Sequence, residues 1–293
     1  MYDIEALYEA GSVEEAIALR GQHPNALVIA GGSDVLVQIR EGRHAGCELV
    51  SLQKVNELRG VVLEENGALC IGPLTSFSHI TKDPIIQKYV PVLGEAVDTA
   101  GGPQLRNIAT IGGNICNGVT SADSASTLVA WEAEVEYTGP EGKRYLPITQ
   151  HYIKAGVVAL QPGEILTAIR IHKQSHENCY GHYIKYAMRN AMDIATLGCS
   201  VNVRLSADKK TVERMRIAYG VAGPVPMRAP SAEAAANGQP VSLQTVEKAA
   251  KAALQDVNPR TSWRATKEVR LQLVEELARR AFIKSIELAG GAV

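Results

Sequence analysis

Two glycine pairs, each followed by a small side chain that can form hydrogen bonds, are the residues of this sequence best suited to bind an anion. The first lies in Ile29-Ala30-Gly31-Gly32-Ser33-Asp34 and the second in Thr110-Ile111-Gly112-Gly113-Asn114. Adjacent glycines permit positive φ and a close approach of the backbone, so N–H groups can point at a ligand. If the two turns converge, two facing sets of backbone donors would suit a pyrophosphate, with about two negative charges and many acceptors.

Other nucleotide motifs fit the second pair poorly. Gly113 to Gly118 has the GxxxxG spacing, but Val119-Thr120 follows where a P-loop has Lys and then Ser or Thr. Neither glycine pair extends to GxGxxG, which disfavours a Rossmann site. Alone, residues 110–118 read as a flexible polar loop in which backbone and hydroxyl groups hold an anion without a Lys and magnesium pair.

Charge and hydropathy exclude several classes of partner. The chain has 293 residues, a formal net charge of -1 and a sequence pI of about 6.7, so it lacks the basic footprint of a protein that binds nucleic acid or an acidic membrane. No apolar run reaches the length of a membrane span, and the amino terminus lacks the pattern of a signal peptide. We expect a cytoplasmic protein.

Cysteine and histidine spacing predicts no protein-bound metal. The chain has five cysteines and no CxxC pair, so neither a zinc site, an iron–sulfur site nor a disulfide framework is indicated. We expect each cysteine to be a small buried hydrophobe. His172 and His176 are four residues apart without a third ligand nearby, and we expect both at the surface.

The first glycine pair is predicted to lie in a small α/β unit. Ser12-Val-Glu-Glu15 has the pattern of a capping box that opens a helix ending near Arg20. Residues 26–30 read as a strand that ends at the first glycine pair, and residues 49–52 read as another. Ser33 and Asp34 are good N-cap residues for a short helix between these strands.

Two further parts are predicted downstream. A second subdomain begins near Val61 with a hairpin whose turn is Asn66-Gly67. A third part shows an antiparallel meander followed by helices, whose apolar residues recur at three- and four-residue spacing. We therefore predict three divisions: residues 1–57, 58–176 and 177–293. The predicted elements are helices at 91–100, 124–131, 243–257 and 266–288, and strands at 134–137, 143–148, 165–171, 180–188, 199–205 and 214–221.

Four motifs in this order resemble the FAD-binding subunits of molybdenum hydroxylases, and the resemblance covers almost the whole chain. Within that family it is closest to the FAD subunits of xanthine dehydrogenases, with the medium subunits of carbon monoxide dehydrogenases more distant. The motifs are Ala30-Gly-Gly-Ser-Asp-Val-Leu, Asn107-Ile-Ala-Thr-Ile-Gly-Gly-Asn-Ile, Glu164-Ile-Leu, and Lys185-Tyr-Ala-Met-Arg-Asn-Ala-Met-Asp-Ile-Ala195.

The resemblance implies an α+β fold, in which a two-subdomain FAD-binding domain of the vanillyl-alcohol oxidase type precedes a C-terminal antiparallel sheet with helices. FAD would lie between the two subdomains, with the first glycine segment around its diphosphate and the second closing on it. The implied cofactor-binding residues are Val28, Ile29, Ala30, Gly31, Gly32, Ser33, Asp34, Val35, Thr110, Ile111, Gly112, Gly113, Asn114, Asp123, Leu166 and Lys185.

Several of these residues have an alternative interpretation. Asp123 could cap the helix that follows, Lys185 could point outward from a strand, and Leu166 could belong to the core. At Lys185 an ammonium could stabilise anionic reduced flavin or contact a phosphate. Arg189 and Asp193 could form an ion pair that shapes their loop.

The family resemblance implies an electron-transfer subunit with no catalytic side chain of its own. Electrons would pass from [2Fe-2S] clusters on an iron–sulfur subunit through FAD to NAD, while a molybdopterin subunit oxidises a purine. Some relatives place an aromatic ring on the flavin where this chain has Ala100, so the covering of that face stays open. A flavin-free structural or assembly subunit and a stand-alone flavin oxidase are the alternatives.

Overall fold

A three-stranded parallel sheet carries the first glycine segment. The computed structural model describes residues 2–293, and its first sheet has the order β1-β3-β2. The strands are β1 (Ile4–Glu9), β2 (Leu27–Ile29) and β3 (Cys47–Ser51), and the connecting helices are α1 (Val13–Gln22) and α2 (Val35–Arg40). The sequence predicted β2, β3 and both helices, whereas β1 was not predicted.

The capping of α1 differs in detail from the predicted capping box. The Ser12 hydroxyl accepts the Glu15 N–H at 3.1 Å, as the motif requires. The Glu15 carboxylate, however, accepts from the N–H of Gly11 at 2.7 Å and not from that of Ser12. Both bonds still satisfy backbone donors near the helix start, so the motif predicts the helix correctly.

A five-stranded antiparallel sheet with helices forms the central part. Its strand order is β4-β5-β10-β6-β7, and a separate hairpin pairs β8 with β9. The strands are β4 (Val61–Leu63), β5 (Leu69–Ile71), β6 (Glu134–Gly139), β7 (Gly142–Pro147), β8 (Tyr152–Lys154), β9 (Val157–Val158) and β10 (Ile165–Ile171). The helices are α3 (Phe77–Lys82), α4 (Pro84–Tyr89), α5 (Pro91–Asp98), α6 (Pro103–Ile108), α7 (Ile111–Cys116), α8 (Ala125–Ala130), α9 (Ile148–His151) and α10 (Lys173–His176).

The C-terminal part is an antiparallel sheet covered by helices, as predicted. The sheet has the order β11-β12-β13-β14, and its inward side chains pack with the helices into one apolar core. The strands are β11 (Tyr180–Tyr186), β12 (Leu197–Leu205), β13 (Val212–Gly220) and β14 (Met227–Arg228). The helices are α11 (Pro230–Ala236), α12 (Leu243–Ala252) and α13 (Lys267–Leu288). These sheets and helices confirm the α+β class.

Close packing joins the central and C-terminal parts. Trp131, at the end of α8, is 1% exposed and lies against Gly181 of β11. A Cβ on Gly181 would stand 1.9 Å from the indole ring, so only glycine allows this contact. Asn202 of β12 extends the junction by donating to the carbonyl oxygens of Ala130 and Ser175.

Three sequence-based expectations are wrong. Residues 111–116 form α7 and not a flexible polar loop, because Thr110 caps the helix and Ile111 and Ile115 are buried on one face. His176 is buried, where it hydrogen-bonds the Gly67 carbonyl at 2.9 Å, and is not at the surface. Only two cysteines, Cys179 and Cys199, are buried; the other three are half-buried, and all five are free thiols.

Candidate cofactor site

The first glycine segment presents a row of unused backbone donors. It turns between the end of β2 and the start of α2, with Gly32 at a φ of +73°. Within residues 2–293, the N–H groups of residues 31–34 donate to no acceptor of the protein. Four consecutive free donors at a half-buried turn form a cradle for an anion with several oxygen atoms.

The second glycine segment lies directly against this turn. A Cβ on Gly31 would stand 1.9 Å from the carbonyl oxygen of Ile108, so the two backbones touch only because residue 31 is glycine. Ile108 and Ala109 lead straight into Thr110, the N-cap of α7. The structure therefore brings the two glycine segments together, as their shared pattern predicts.

The second segment, however, does not offer the facing set of backbone donors that we expected. Ile111 N–H donates to the Thr75 carbonyl at 3.1 Å, and Gly112 N–H donates to the Pro73 carbonyl at 2.8 Å. Gly113 N–H donates to the Thr110 hydroxyl at 3.1 Å. These three groups are satisfied by the protein, so they are not free to bind an anion.

The two glycines of the second pair face opposite ways. A Cβ on Gly112 would lie 2.5 Å from Pro73 Cβ, so this glycine is needed for packing inside the protein. Gly113 is exposed, and the nearest atom to a Cβ there is the Thr110 hydroxyl oxygen, 3.0 Å away. Gly113 is therefore the glycine that leaves its outer face open to a ligand.

Two residues that the sequence did not single out hold the first turn in place. The Gln53 amide donates to the Ala30 carbonyl, and the Arg59 guanidinium donates to the Gln53 carbonyl at 2.8 Å. Arg59 also donates to the carbonyl of Leu74, the residue after Pro73, at 3.1 Å. No spacing rule links a glutamine after β3 to a glycine turn, so only the folded chain identifies this support.

Asp123 and Lys185 form a buried ion pair. Lys185 Nζ stands 3.0 Å from Asp123 Oδ2 and 3.0 Å from the Thr99 carbonyl oxygen, and its side chain is 8% exposed. The Tyr183 hydroxyl donates to Asp123 Oδ1 at 3.1 Å. Lys185 and Tyr183 lie on the same face of β11 because strand side chains alternate with a period of two. The outward orientation considered for Lys185 is therefore wrong.

Burial shapes the protonation of this cluster. It raises the pKa of the Asp123 carboxyl above its usual range, and the bonds from Lys185 and Tyr183 counteract part of that rise. Burial also raises the pKa of Tyr183 well above its usual value, with the Asp123 charge acting in the same direction. Tyr183 is therefore a neutral donor at every physiological pH. Asp123 makes no capping bond to α8, so that alternative is wrong as well.

The remaining predicted site residues have mixed surroundings. The Asn114 side chain accepts from the Ser124 hydroxyl at 2.6 Å. Leu166, on β10, is 5% exposed and belongs to the same apolar core as Ile111, which agrees with its interpretation as a core residue. Val28, on β2, is instead 38% exposed.

The loop after Lys185 is held by its own side chains. The Asp193 carboxylate accepts from the N–H groups of Arg189 and Ile194, and its other contact is the Arg189 guanidinium at 3.7 Å. This confirms the predicted ion pair. Met192 has a φ of +53°, which is rare outside glycine, and its sulfur lies 3.7 Å from where a Gly102 Cβ would stand. Ala100, which directly precedes Gly101 and Gly102, is buried.

Comparison with known proteins places these features in one class. The family described as the FAD binding domain in molybdopterin dehydrogenase matches residues 2–173, and the CO dehydrogenase flavoprotein C-terminal domain matches residues 182–285. The chain is 41% identical to the xanthine dehydrogenase FAD-binding subunit of Escherichia coli O157:H7, over 99% of both chains. It is 29% identical to the nicotinate dehydrogenase FAD-subunit of Eubacterium barkeri, over 84% of each.

A solved structure agrees with these matches. Carbon monoxide dehydrogenase from Hydrogenophaga pseudoflava, in a form that lacks the Mo-pyranopterin moiety of the molybdenum cofactor, aligns with a TM-score of 0.92. The identity is 29%, and the alignment covers 99% of both chains. The fold and the two matched domains define an FAD-binding subunit of an oxidoreductase. More particularly, the chain belongs to the family of FAD-binding subunits of the molybdenum hydroxylases. In residues 2–293, no helix is both long and apolar enough to cross a membrane.

Proposed function

We propose that this chain is the FAD subunit of a xanthine dehydrogenase-type enzyme. It would receive electrons from [2Fe-2S] clusters on one partner subunit and pass them through FAD to NAD. The observation that carries the cofactor assignment is the contact between Gly31 and Ile108, which sets four free N–H groups beside the second glycine segment. The xanthine assignment rests on the 41% identity to the Escherichia coli subunit over nearly the full length of both chains.

The residues of the first turn fit the diphosphate of FAD. Backbone donors at residues 31–34 would bind its oxygen atoms, and the neighbouring residues 28–30 and Val35 would line the same turn. The Thr110 hydroxyl accepts from Gly113, which leaves its own proton free to donate. With its exposed outer face, Gly113 would let the cofactor lie close to α7. Ile111, Gly112 and Asn114 would then support this surface rather than bind through the backbone.

The buried ion pair fits a position near the cofactor as well. FAD, when bound, supplies an isoalloxazine that can take up electrons singly and deliver a hydride. Asp123 and Thr99 fix Lys185 Nζ at 3.0 Å each, so one ammonium proton is left for a third acceptor. Lys185 would use it to bind FAD, and Leu166 would provide an apolar contact. Arranged in this way, the protein orients the cofactor and limits access of water to it.

Partner subunits follow from the chemistry that this chain lacks. Its five cysteines are separate free thiols, and no three metal-ligating side chains converge anywhere in residues 2–293. We therefore assign the [2Fe-2S] clusters and the molybdopterin to two other subunits. Purine oxidation would take place on the molybdopterin subunit, and NAD reduction would take place here.

The cofactor assignment is tested by purifying the chain and recording its visible spectrum. We expect flavin bands, non-covalent release of FAD on denaturation and recovery of the bands when FAD is added back. A colourless chain that FAD cannot reconstitute would favour the flavin-free alternative and contradict the proposal. Turnover of a substrate by the chain alone would favour the stand-alone oxidase.

The acceptor and substrate assignments need the assembled enzyme. Added without oxygen, NADH should bleach the flavin of the isolated chain, because hydride transfer runs in both directions. Xanthine should bleach it only when both partner subunits are present. Bleaching by xanthine in the isolated chain, or no response to NADH, would contradict the proposed electron path.

A further inference from the structure

Trp263 is an exposed aromatic residue on a rigidly held loop. Its residue surface is 74% exposed, whereas the other tryptophan of the chain, Trp131, is 1% exposed. The loop connects the helical segment that ends near Asp256 to α13. Leaving most of an indole in water forgoes much of the apolar burial that a tryptophan side chain offers. The folded chain alone does not explain this position.

Arg270 of α13 holds the loop from below. Its guanidinium donates to the Arg260 carbonyl and to the Ser262 hydroxyl, the latter at 2.8 Å, and it also donates to the Thr196 carbonyl at 3.1 Å. Arg270 is 2% exposed. The Lys267 N–H donates to the Thr261 hydroxyl at 3.0 Å, which closes the base of the loop. Trp263 is therefore presented at a fixed place.

The arginines around Trp263 are not paired with carboxylates in residues 2–293, and the nearest negative charge is that of Glu268, beside Lys267. Arg260, Arg264, Lys267 and Arg270 form no salt bridge with any carboxylate in residues 2–293, although most other buried or half-buried arginines do. The Arg264 guanidinium lies 4.2 Å above the Trp263 ring. Burial, followed by the charges of Arg260 and Arg264, lowers the pKa of Arg270, which reflects this local excess of positive charge.

We propose that Trp263, together with Arg260 and Arg264, docks onto another subunit of the same enzyme, at an apolar pocket ringed by carboxylates. This inference rests on the proposed function, which requires partner subunits. Tryptophan and arginine are the residue types that most often dominate protein interfaces, and a preordered loop loses little entropy on binding. Carboxylates on the partner would supply the charge that this surface lacks.

Other occupants fit the loop less well. Small-molecule sites are concave and enclose most of their ligand, whereas Trp263 projects from the surface. Nucleic acid needs a broad basic face, and the chain as a whole has a net charge of -1. A membrane would need more apolar side chains beside the tryptophan than this arginine-rich loop provides.

Hydroxyl-radical footprinting followed by peptide mass spectrometry tests the proposal. The isolated chain and the complete complex, purified through a tag on this chain, are labelled in parallel. We expect Trp263 to be oxidised readily in the isolated chain and to be protected at least tenfold in the complex. Trp131 should be protected in both, which controls for unfolding. An unprotected Trp263 in an intact complex would overturn the proposal and leave the FAD assignment untouched.

A substitution gives the second measurement. Trp263→Ala should weaken the affinity for the partner subunits by roughly 30-fold, as expected for a hot-spot residue, with FAD content and unfolding midpoint unchanged. Arg264→Glu should weaken it too, and this effect should shrink at high salt. Tyr145→Ala, an exposed aromatic residue of β7, is the matched control and should have little effect. Equal affinity for Trp263→Ala and wild type would overturn the proposal. So would protection of Trp263 by anionic vesicles or by a second copy of the chain alone.

Discussion

Similar sequence patterns place glycines in different surroundings. Gly31 allows two backbone segments to touch, Gly112 packs on Pro73, and Gly113 is open to solvent. A sequence pattern identifies all three as glycines near a ligand. Only the neighbours of each Cβ position separate the packing role from the binding role, and this separation changes the expected effect of substitution.

Gly112→Ala should mainly reduce stability, whereas Gly113→Ala should mainly reduce FAD affinity. At Gly112 the new Cβ would lie within 2.5 Å of Pro73, an overpacking that costs about 1–3 kcal/mol of unfolding free energy. At Gly113 only the Thr110 hydroxyl is near, and replacing a helical glycine by alanine gains up to about 1 kcal/mol. Urea unfolding of the apoprotein and FAD titration by fluorescence measure the two effects.

Pro73→Ala provides a control for this pair. The atoms nearest to the new methyl group are the Cβ, Cα and carbonyl oxygen of Pro73, which alanine also has, so Gly112→Ala should cost as much in that background as in the wild type. An unchanged FAD affinity in a stable Gly113→Ala protein would contradict the placement of FAD against α7. Equal losses of stability in the two single variants would contradict the packing argument.

Asp123 and Lys185 should be coupled energetically. Removing the charge of one buried partner leaves the other unpaired, so Lys185→Met should cost about 3–5 kcal/mol of unfolding free energy. Asp123→Asn in the same chain should restore part of that loss. We expect a coupling energy of about 1–3 kcal/mol in a double-mutant cycle of the apoprotein, measured by urea unfolding. Additive effects would show that the pair has no mutual stabilisation in solution.

At the scale of elements, the sequence predicts long regular segments better than short ones. Strand β10 was predicted with its bounds, and the meander of β11, β12 and β13 was predicted with small shifts. In β12, apolar residues occupy every second position from Leu197 to Leu205 and pack into the C-terminal core, as expected for one face of a sheet. The short helices α3, α4 and α6 were missed, because six residues are too few to establish a helical period.

Sequence-based prediction of the cofactor site is limited in the same way. The convergence of the glycine segments could be inferred because both share one local pattern. The sequence could not show that the N–H groups of residues 31–34 are free and those at the start of α7 are not. The acceptors for α7 are the carbonyl oxygens of Pro73 and Thr75, which belong to neither glycine pattern and are brought close only by folding. Tyr183 as a partner of Asp123 was missed for a similar reason: the two residues are sixty positions apart.

The central sheet contains a carboxylate that should add to its acid sensitivity. Burial opposes ionisation of Glu136, but bonds from Thr167, Arg170 and Lys143 outweigh it, so its pKa lies below the usual 4.5. A lowered folded pKa means that its stabilising contribution is complete above about pH 4.5 and is lost as the pH falls through the folded value. Glu136→Gln should therefore be less stable than wild type at pH 7.

The pH dependence of that difference is the measurement. Urea unfolding of both proteins from pH 7 down to pH 3 should show the gap of about 1–3 kcal/mol closing as Glu136 becomes protonated. Glu141→Gln is a control, because Glu141 is exposed in the turn between β6 and β7 and makes no salt bridge within residues 2–293. A gap that stays constant through this range would contradict the lowered pKa.

At the scale of the whole molecule, one carboxylate links the central part to the C-terminal sheet. Glu132 follows α8, has a φ of +51°, and contacts three arginines of β13 and β14. Arg216 and Arg228 lie 2.9 and 3.2 Å from its Oε1, and Arg214 contacts its Oε2. Burial, followed by the neighbouring arginines, lowers the pKa of both Arg214 and Arg216. The cluster is therefore repulsive without its central anion.

Glu132→Gln should loosen this junction. Three guanidinium groups would then face one another with only the Glu233 carboxylate nearby. We therefore expect a loss of about 2 kcal/mol of unfolding free energy, which is less than for breaking a fully buried ion pair because the Glu132 side chain is 31% exposed. Circular dichroism during urea unfolding should also show a broader transition, since the two parts would no longer unfold together. Glu276→Gln is the matched control, because the Glu276 carboxylate likewise contacts more than one arginine, namely Arg279 and Arg280. These contacts lie on the exposed face of α13, where an ion pair contributes less than about 1 kcal/mol. Equal losses in the two variants would show that Glu132 is an ordinary surface charge, and the packing of Trp131 on Gly181 would then be the main link between the parts.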